Sequence, residues 1–185
     1  MNLPDIDENI LDQVLTQSRW KVVREYKDLE WLYSPAQKLI DDMRNGVGGQ
    51  RFVAECARQL GKSFYVCIKG VEDCLTRANA RAVIGTDTAK NIDLITAEPL
   101  RHIFDMLPPE MKPVKKKNDR TYHFPNGNTI MMIGLEKPDD IRGQKPTFCG
   151  LDEVGFMYDL QGVIEAVVPA MRKVCLLYTS PSPRD

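Results

Sequence analysis

Arg51-Phe52-Val53-Ala54-Glu55-Cys56-Ala57-Arg58-Gln59-Leu60-Gly61-Lys62-Ser63-Phe64 changes its periodicity midway, and that change decides the fold. Arg51 to Cys56 reads as a short strand, whereas Phe64, Cys67, Ile68, Val71 and Leu75 recur at helical spacing. The unit is strand, loop, helix. Its loop, Cys56 to Ser63, has the spacing and ending of the phosphate-binding pattern G-x-x-x-x-G-K-[ST], with Cys56 standing where the first glycine belongs. Each position has a chemical reason. Gly61 allows close backbone approach, loop amides and the helix N-terminus attract phosphate oxygens, Lys62 neutralises them, and the Ser63 hydroxyl suits a magnesium shell. A chance Gly-Lys-Ser at a helix start is the competing reading of this string alone.

A second motif about ninety residues downstream favours the first reading. Thr147-Phe148-Cys149-Gly150-Leu151 is a short apolar strand that ends in Asp152-Glu153. Two carboxylates at such a strand end divide the work of phosphoryl transfer. Asp152 would hold Mg2+ and Glu153 would orient or deprotonate the attacking water. A solvated turn is the alternative.

Outward from these motifs the chain alternates. Ser34-Pro35 opens a helix with Leu39, Ile40 and Met43 on one face, ending at Asn45-Gly46. Ala80 to Gly85 reads as a second apolar strand, followed by a helical stretch from Ile92 to Leu107 interrupted near Pro99. Thr121 to Phe124 and Thr129 to Leu135 flank Pro125-Asn126-Gly127-Asn128, a hairpin cue. Leu160, Val163, Ile164, Val167 and Val168 suggest a last helix. The expected architecture is α/β, a mostly parallel sheet flanked by helices with an inserted β-hairpin. In such sheets ligands sit beyond the carboxyl ends of the strands, where both motifs lie.

Composition narrows the function classes. With 185 residues, 43% hydrophobic, the chain has material for one core rather than two. It contains no run of eighteen apolar residues and no signal-like N-terminus, so no membrane role is expected and a cytoplasmic setting is. Five scattered cysteines with no C-x-x-C pair look like reduced thiols, not a disulfide framework or zinc site. The histidines, His102 and His123, have no second ligand nearby in sequence and read as packing or surface residues. A formal charge of −1 means that any nucleic-acid contact must be local. Lys115-Lys116-Lys117, near Lys112 and Arg120, is the candidate DNA contact; the alternative is a lysine-protected loop or edge strand.

Four pieces in order then carry a family resemblance. Ala57-Arg58-Gln59-Leu60-Gly61-Lys62-Ser63 resembles the variant phosphate loop of phage terminase large subunits, which often lack the first glycine, so Cys56 fits. Tyr33-Ser34-Pro35-Ala36-Gln37 resembles the family's adenine-recognising segment. Pro138-Asp139-Asp140-Ile141-Arg142-Gly143 resembles the stretch preceding the family's Walker B motif, represented here by Leu151-Asp152-Glu153. The resemblance implies an additional-strand, RecA-like P-loop ATPase that drives double-stranded DNA into a procapsid. ATP and Mg2+ would bind at Gln37 and at Cys56, Ala57, Arg58, Gln59, Leu60, Gly61, Lys62 and Ser63, with Asp152 completing the metal site. Glu153 and Arg58 would be catalytic, the latter reaching the γ-phosphate. It further implies a portal protein and a small terminase subunit as partners, a homo-oligomeric ring, and the cytoplasm of an infected bacterial host. A helicase-like P-loop translocase, or a nucleotide-binding module without turnover, is the alternative.

The expected organisation is a helical lead-in over 1–32, an ATPase domain over 33–174 that is incomplete at its end, and a tail. Cys175-Leu176-Leu177-Tyr178-Thr179-Ser180-Pro181-Ser182-Pro183-Arg184-Asp185 matches one reading frame of a transposon-type sequencing adaptor. On that reading the natural protein continues beyond Val174 into a ribonuclease H-type nuclease domain absent from this chain. The prolines of the tail should keep it out of the sheet, leaving an open edge beside the Asp152 strand.

Overall fold

In the computed structural model the described residues are 34–47, 51–56, 60–92, 96–115, 120–136, 138–171 and 175–181. The expected lead-in over 1–32 lies outside them, as do Tyr33 and Val174. Seven strands among them form one sheet in the order β1-β7-β6-β2-β5-β4-β3. These are β1 (Arg51–Cys56), β2 (Arg81–Thr86), β3 (Val114–Lys115), β4 (Thr121–His123), β5 (Thr129–Gly134), β6 (Phe148–Leu151) and β7 (Cys175–Pro181). Neighbouring strands from β1 through β5 run parallel, whereas β4 and β3 are antiparallel additions. The helices whose bounds fall among the described residues include α1 (Pro35–Val47), α2 (Lys62–Thr76), α3 (Ala97–Asp105) and α4 (Leu160–Ala170). The α/β architecture, its mostly parallel sheet and its hairpin therefore stand as expected.

Two apolar layers sandwich the sheet. On one face α2 buries Val66, Ile68, Val71 and Leu75 against Ile84, Ile130 and Phe148. On the other, α4 buries Val163 and Val167 with Val83, Leu151 and Ile141. The alternation along β2, with Ala82 and Ile84 in one layer and Val83 in the other, is what a strand covered on both sides requires. Truncating one of these α2 side chains to alanine should cost about 2–4 kcal/mol.

Asn128 joins the hairpin to the far end of α2. It accepts from Ala80 N at 2.8 Å and donates to Cys74 O and Arg77 O, each at 2.7 Å. Cys74 lies in the last turn of α2 and Arg77 is its C-cap, where intrahelical donors run out. Asn126 Nδ2 adds a bond to Cys74 O at 2.9 Å, and Gly127 takes a φ of 82°.

One expectation stands and two, both about the tail, need correction. The helical stretch is broken near Pro99 as expected: Asn91 and Ile92 are helical, Thr96 is a turn, and α3 starts at Ala97 with Pro99 in its first turn, where a missing N–H breaks no intrahelical bond. The segment from Cys175 to Pro181 is not excluded from the sheet, because it forms β7 between β1 and β6. There it faces two strand edges at once, and Leu176-Leu177-Tyr178 supplies strand-forming residues. Pro181 falls at the last position, opposite Cys56, where a lost ladder donor matters least. The edge beside β6 is accordingly filled.

Candidate nucleotide site

The phosphate-loop helix starts in the geometry its chemistry needs. Gly61 caps α2 with φ 75° and ψ 30°, in the left-handed region open to glycine. A Cβ there would lie 2.3 Å from Gln37 Nε2, so the position is closed to side chains by space as well as by backbone. The Gly61 carbonyl accepts the Tyr65 amide at 3.0 Å and Gln37 Nε2 at 2.6 Å. Lys62, Ser63 and Phe64 then present first-turn amides that have no preceding helical carbonyl to bond. With the helix dipole these amides favour an anion. Lys62 is buried, at 6% exposure, and Ser63 is half-buried.

Gln37 reaches this turn from α1. Its buried carboxamide accepts from Ser34 N at 2.8 Å, while Ser34 Oγ accepts from Gln37 N at 3.3 Å. This reciprocal pair is a capping box, with Pro35 at the first helical position. One amide hydrogen and one oxygen lone pair remain for another group.

Asp152 arrives from the sheet. Its amide bonds Gly85 O at 2.9 Å, extending the β6–β2 pairing to the strand tip, and its side chain is wholly buried. Oδ1 accepts from Glu153 N at 3.0 Å. A Cβ on Gly150 would stand 2.3 Å from Val66 Cγ1, so the glycine lets α2 lie directly on β6. The consequence reaches Cys67: burial above all, and then the Asp152 charge, raise its thiol pKa well above the usual range. Asp152 thus lies within electrostatic reach of the second turn of α2. Glu153, half-buried, adopts φ 55° and ψ 38°, a left-handed conformation costing a residue with a Cβ about 1–2 kcal/mol. This kink turns the chain off the sheet at the tip of β6.

The donor set fits a magnesium-bound polyphosphate: a hydroxyl at Ser63, a buried carboxylate at Asp152, a cation at Lys62 and a glycine cradle. Of the other expected site residues, Cys56 ends β1 and Leu60 is half-buried next to Gly61. Ala57, Arg58 and Gln59 lie outside the described residues. The Pro138–Arg142 stretch lies in the connection from β5 to β6, where Ile141 joins the apolar layer of Leu135, Leu151 and Val163 and Arg142 pairs with Asp139 at 2.8 Å. Lys115 lies on the edge strand β3, six strand spacings or roughly 30 Å from β1, with Nζ 5.6 Å from the Tyr122 ring centroid. Lys116 and Lys117 are outside the described residues. His102 stacks at a tilt on Phe64, 5.9 Å between centroids. The sequence reading missed the capping box, although Ser34-Pro35-Ala36-Gln37 spells it, and missed Gly150 as the contact point of helix and strand.

Comparison with known proteins bears on the fold and the family. No curated protein matches the sequence. Among solved structures, the Thermus phage P74-26 large terminase ATPase domain superposes with a TM-score of 0.64 at 21% identity, covering 86% of this chain and 70% of that one. A variant of that domain gives 0.58 at 20%, covering 74% and 62%. A large terminase from a thermophilic bacteriophage, solved with ADP, gives 0.61 at 14%, covering 80% of this chain and 38% of that one. These likenesses show the fold, and the chain spans only part of each relative. The decisive match is to a family model, described as the N-terminal part of the T4likevirus-type terminase large subunit, over residues 53–171, which hold both strand-end motifs. The chain belongs to the terminase large subunit family, to its T4likevirus-type N-terminal part.

Proposed function

We propose that this chain is the ATP-hydrolysing part of a motor that moves double-stranded DNA into a viral procapsid. One observation carries the reading: α2, which starts at the left-handed Gly61 turn with Lys62 and Ser63, lies through Val66 directly on Gly150 of the strand that ends in Asp152 and Glu153. First-turn amides and Lys62 bind the β- and γ-phosphates. Ser63 and Asp152 hold Mg2+, which supplies charge neutralisation on the phosphate oxygens. Glu153 orients the attacking water and accepts its proton. Gln37 contacts the adenine edge with its remaining donor and acceptor, and Arg58 steadies the γ-phosphate charge.

DNA, a portal protein, a small terminase subunit and further copies of the chain in a ring are the proposed partners, in the cytoplasm of an infected bacterium. Lys115, Lys116 and Lys117 are proposed as a DNA-backbone contact. No described helix is long and apolar enough to cross a membrane. The test is Lys62→Ala. Removing the buried cation should weaken ATP binding by at least about a hundredfold, as expected when a charge-assisted contact worth about 3 kcal/mol is lost. An unchanged dissociation constant refutes the phosphate-loop assignment.

A further inference from the structure

Beyond the loop itself, α1 is tied to α2 by a second polar contact one turn farther along. Asp41 Oδ1 accepts from Tyr65 Oη at 2.8 Å and lies 3.0 Å from Lys69 Nζ. Lys69 also meets Glu72 Oε2 at 2.6 Å and is only 7% exposed. The spacing matches on both helices. Gln37 and Asp41 are four residues apart, as are Gly61, Tyr65 and Lys69, so the contacts form rungs between the same two faces. A buried ion pair is a weak source of net stability compared with an apolar contact, whereas its geometry discriminates between registers. Sliding α1 by one residue would turn both Gln37 and Asp41 about 100° away from α2.

We propose that Asp41 is a positioning residue for nucleotide-base selection. Anchored by Tyr65 and Lys69, it holds α1 in the register that sets the Gln37 carboxamide beside Gly61, where the base edge is read. The inference rests on the reading of Gln37 as the adenine contact. Phosphate affinity resides in Gly61, Lys62 and Ser63 on α2 and does not need α1 in register. Base affinity does.

The experiment measures displacement of a fluorescent ATP analogue from the full chain by ATP, GTP and inorganic tripolyphosphate, each with Mg2+. Asp41→Ala should lower ATP affinity about tenfold relative to tripolyphosphate, with tripolyphosphate itself changed less than about twofold. Preference for ATP over GTP should shrink in parallel. Tyr65→Phe, which deletes one hydroxyl without a cavity, should give about a threefold loss of the same ratio and serves if Asp41→Ala does not fold. Asp41→Glu, which keeps the charge, should recover part of the ratio. Gln37→Ala separates the two layers of the argument. If it leaves the ATP-to-tripolyphosphate ratio unchanged, the adenine reading fails and takes the proposal with it. If Gln37→Ala collapses the ratio while Asp41→Ala and Tyr65→Phe preserve it, the adenine reading survives and the positioning role of Asp41 is overturned.

Discussion

Replacing Gly61 with alanine should destabilise the protein through two separable effects. The left-handed backbone, φ 75° and ψ 30°, costs an alanine about 1–2 kcal/mol relative to glycine. The new Cβ would sit 2.3 Å from Gln37 Nε2 and 3.2 Å from its Cδ, so the carboxamide must leave. That breaks the 2.6 Å bond to Gly61 O and disturbs a buried amide, about 1–3 kcal/mol. Gly61→Ala should therefore cost about 2–5 kcal/mol in urea unfolding followed by far-ultraviolet circular dichroism. Gln37→Ala alone loses the bond and half of the capping box, about 1–2 kcal/mol. In the double variant the steric conflict disappears and only the backbone cost adds to the loss of Gln37. The double variant should thus be less destabilised than the sum of the singles by about 1–3 kcal/mol. Additivity within about 0.3 kcal/mol would refute the claim that Gly61 is required by the approach of Gln37.

Asn128→Ala should cost about 3 kcal/mol, one for each of the bonds to Ala80, Cys74 and Arg77, and Asn128→Asp should cost more at pH 8. The aspartate keeps the acceptor but turns a charge toward the negative end of α2, and an Asp variant as stable as the Ala variant in the same urea titration contradicts this capping role. A pH dependence follows from Asp73, whose pKa is raised mainly by burial, against the lowering influence of its Thr147 hydrogen bond and Arg77. Because the folded form holds its proton more tightly than the unfolded one, wild type should lose stability relative to Asp73→Asn as pH rises from the ordinary carboxylate range through the raised value. A flat difference in denaturation midpoint across that window, or a rising one, would contradict it.

The site was legible in sequence where chemistry is local. Gly61-Lys62-Ser63 and Asp152-Glu153 could be read because a short string must combine a strand tip, a turn and a charge. Gln37 could be placed at the site by resemblance alone, since its hydrogen-bond partner Gly61 is 24 residues away. Asp41, Tyr65 and Lys69 carried no motif, and on a helix surface each reads as ordinary amphipathic patterning. Gly150 reads in sequence only as part of an apolar strand, and nothing in that string marks it as the place where Val66 packs from α2. The exclusion of the tail from the sheet fails for a related reason. Its prolines were weighed as composition, whereas what matters is that Pro181 falls at the end of β7 and that the gap between β1 and β6 offers ladder partners on both sides. Pro99 by contrast signalled a break correctly, because a proline is tolerated in the first turn of a new helix and α3 starts two residues before it.

The most direct test of the account is Glu153→Gln, measured for ATP binding and for single-turnover hydrolysis with Mg2+. Glutamine keeps the size of the side chain and is no worse suited to the left-handed backbone at this position, but it cannot take a proton from water. The account predicts a dissociation constant for ATP within about twofold of wild type and hydrolysis slowed by at least about a hundredfold. Asp152→Asn should instead raise the Mg2+ concentration needed for half-maximal binding. Hydrolysis by Glu153→Gln at the wild-type rate, with ATP bound normally, would contradict the assignment of Glu153 and with it the reading of the β6 tip as the hydrolytic half of the site.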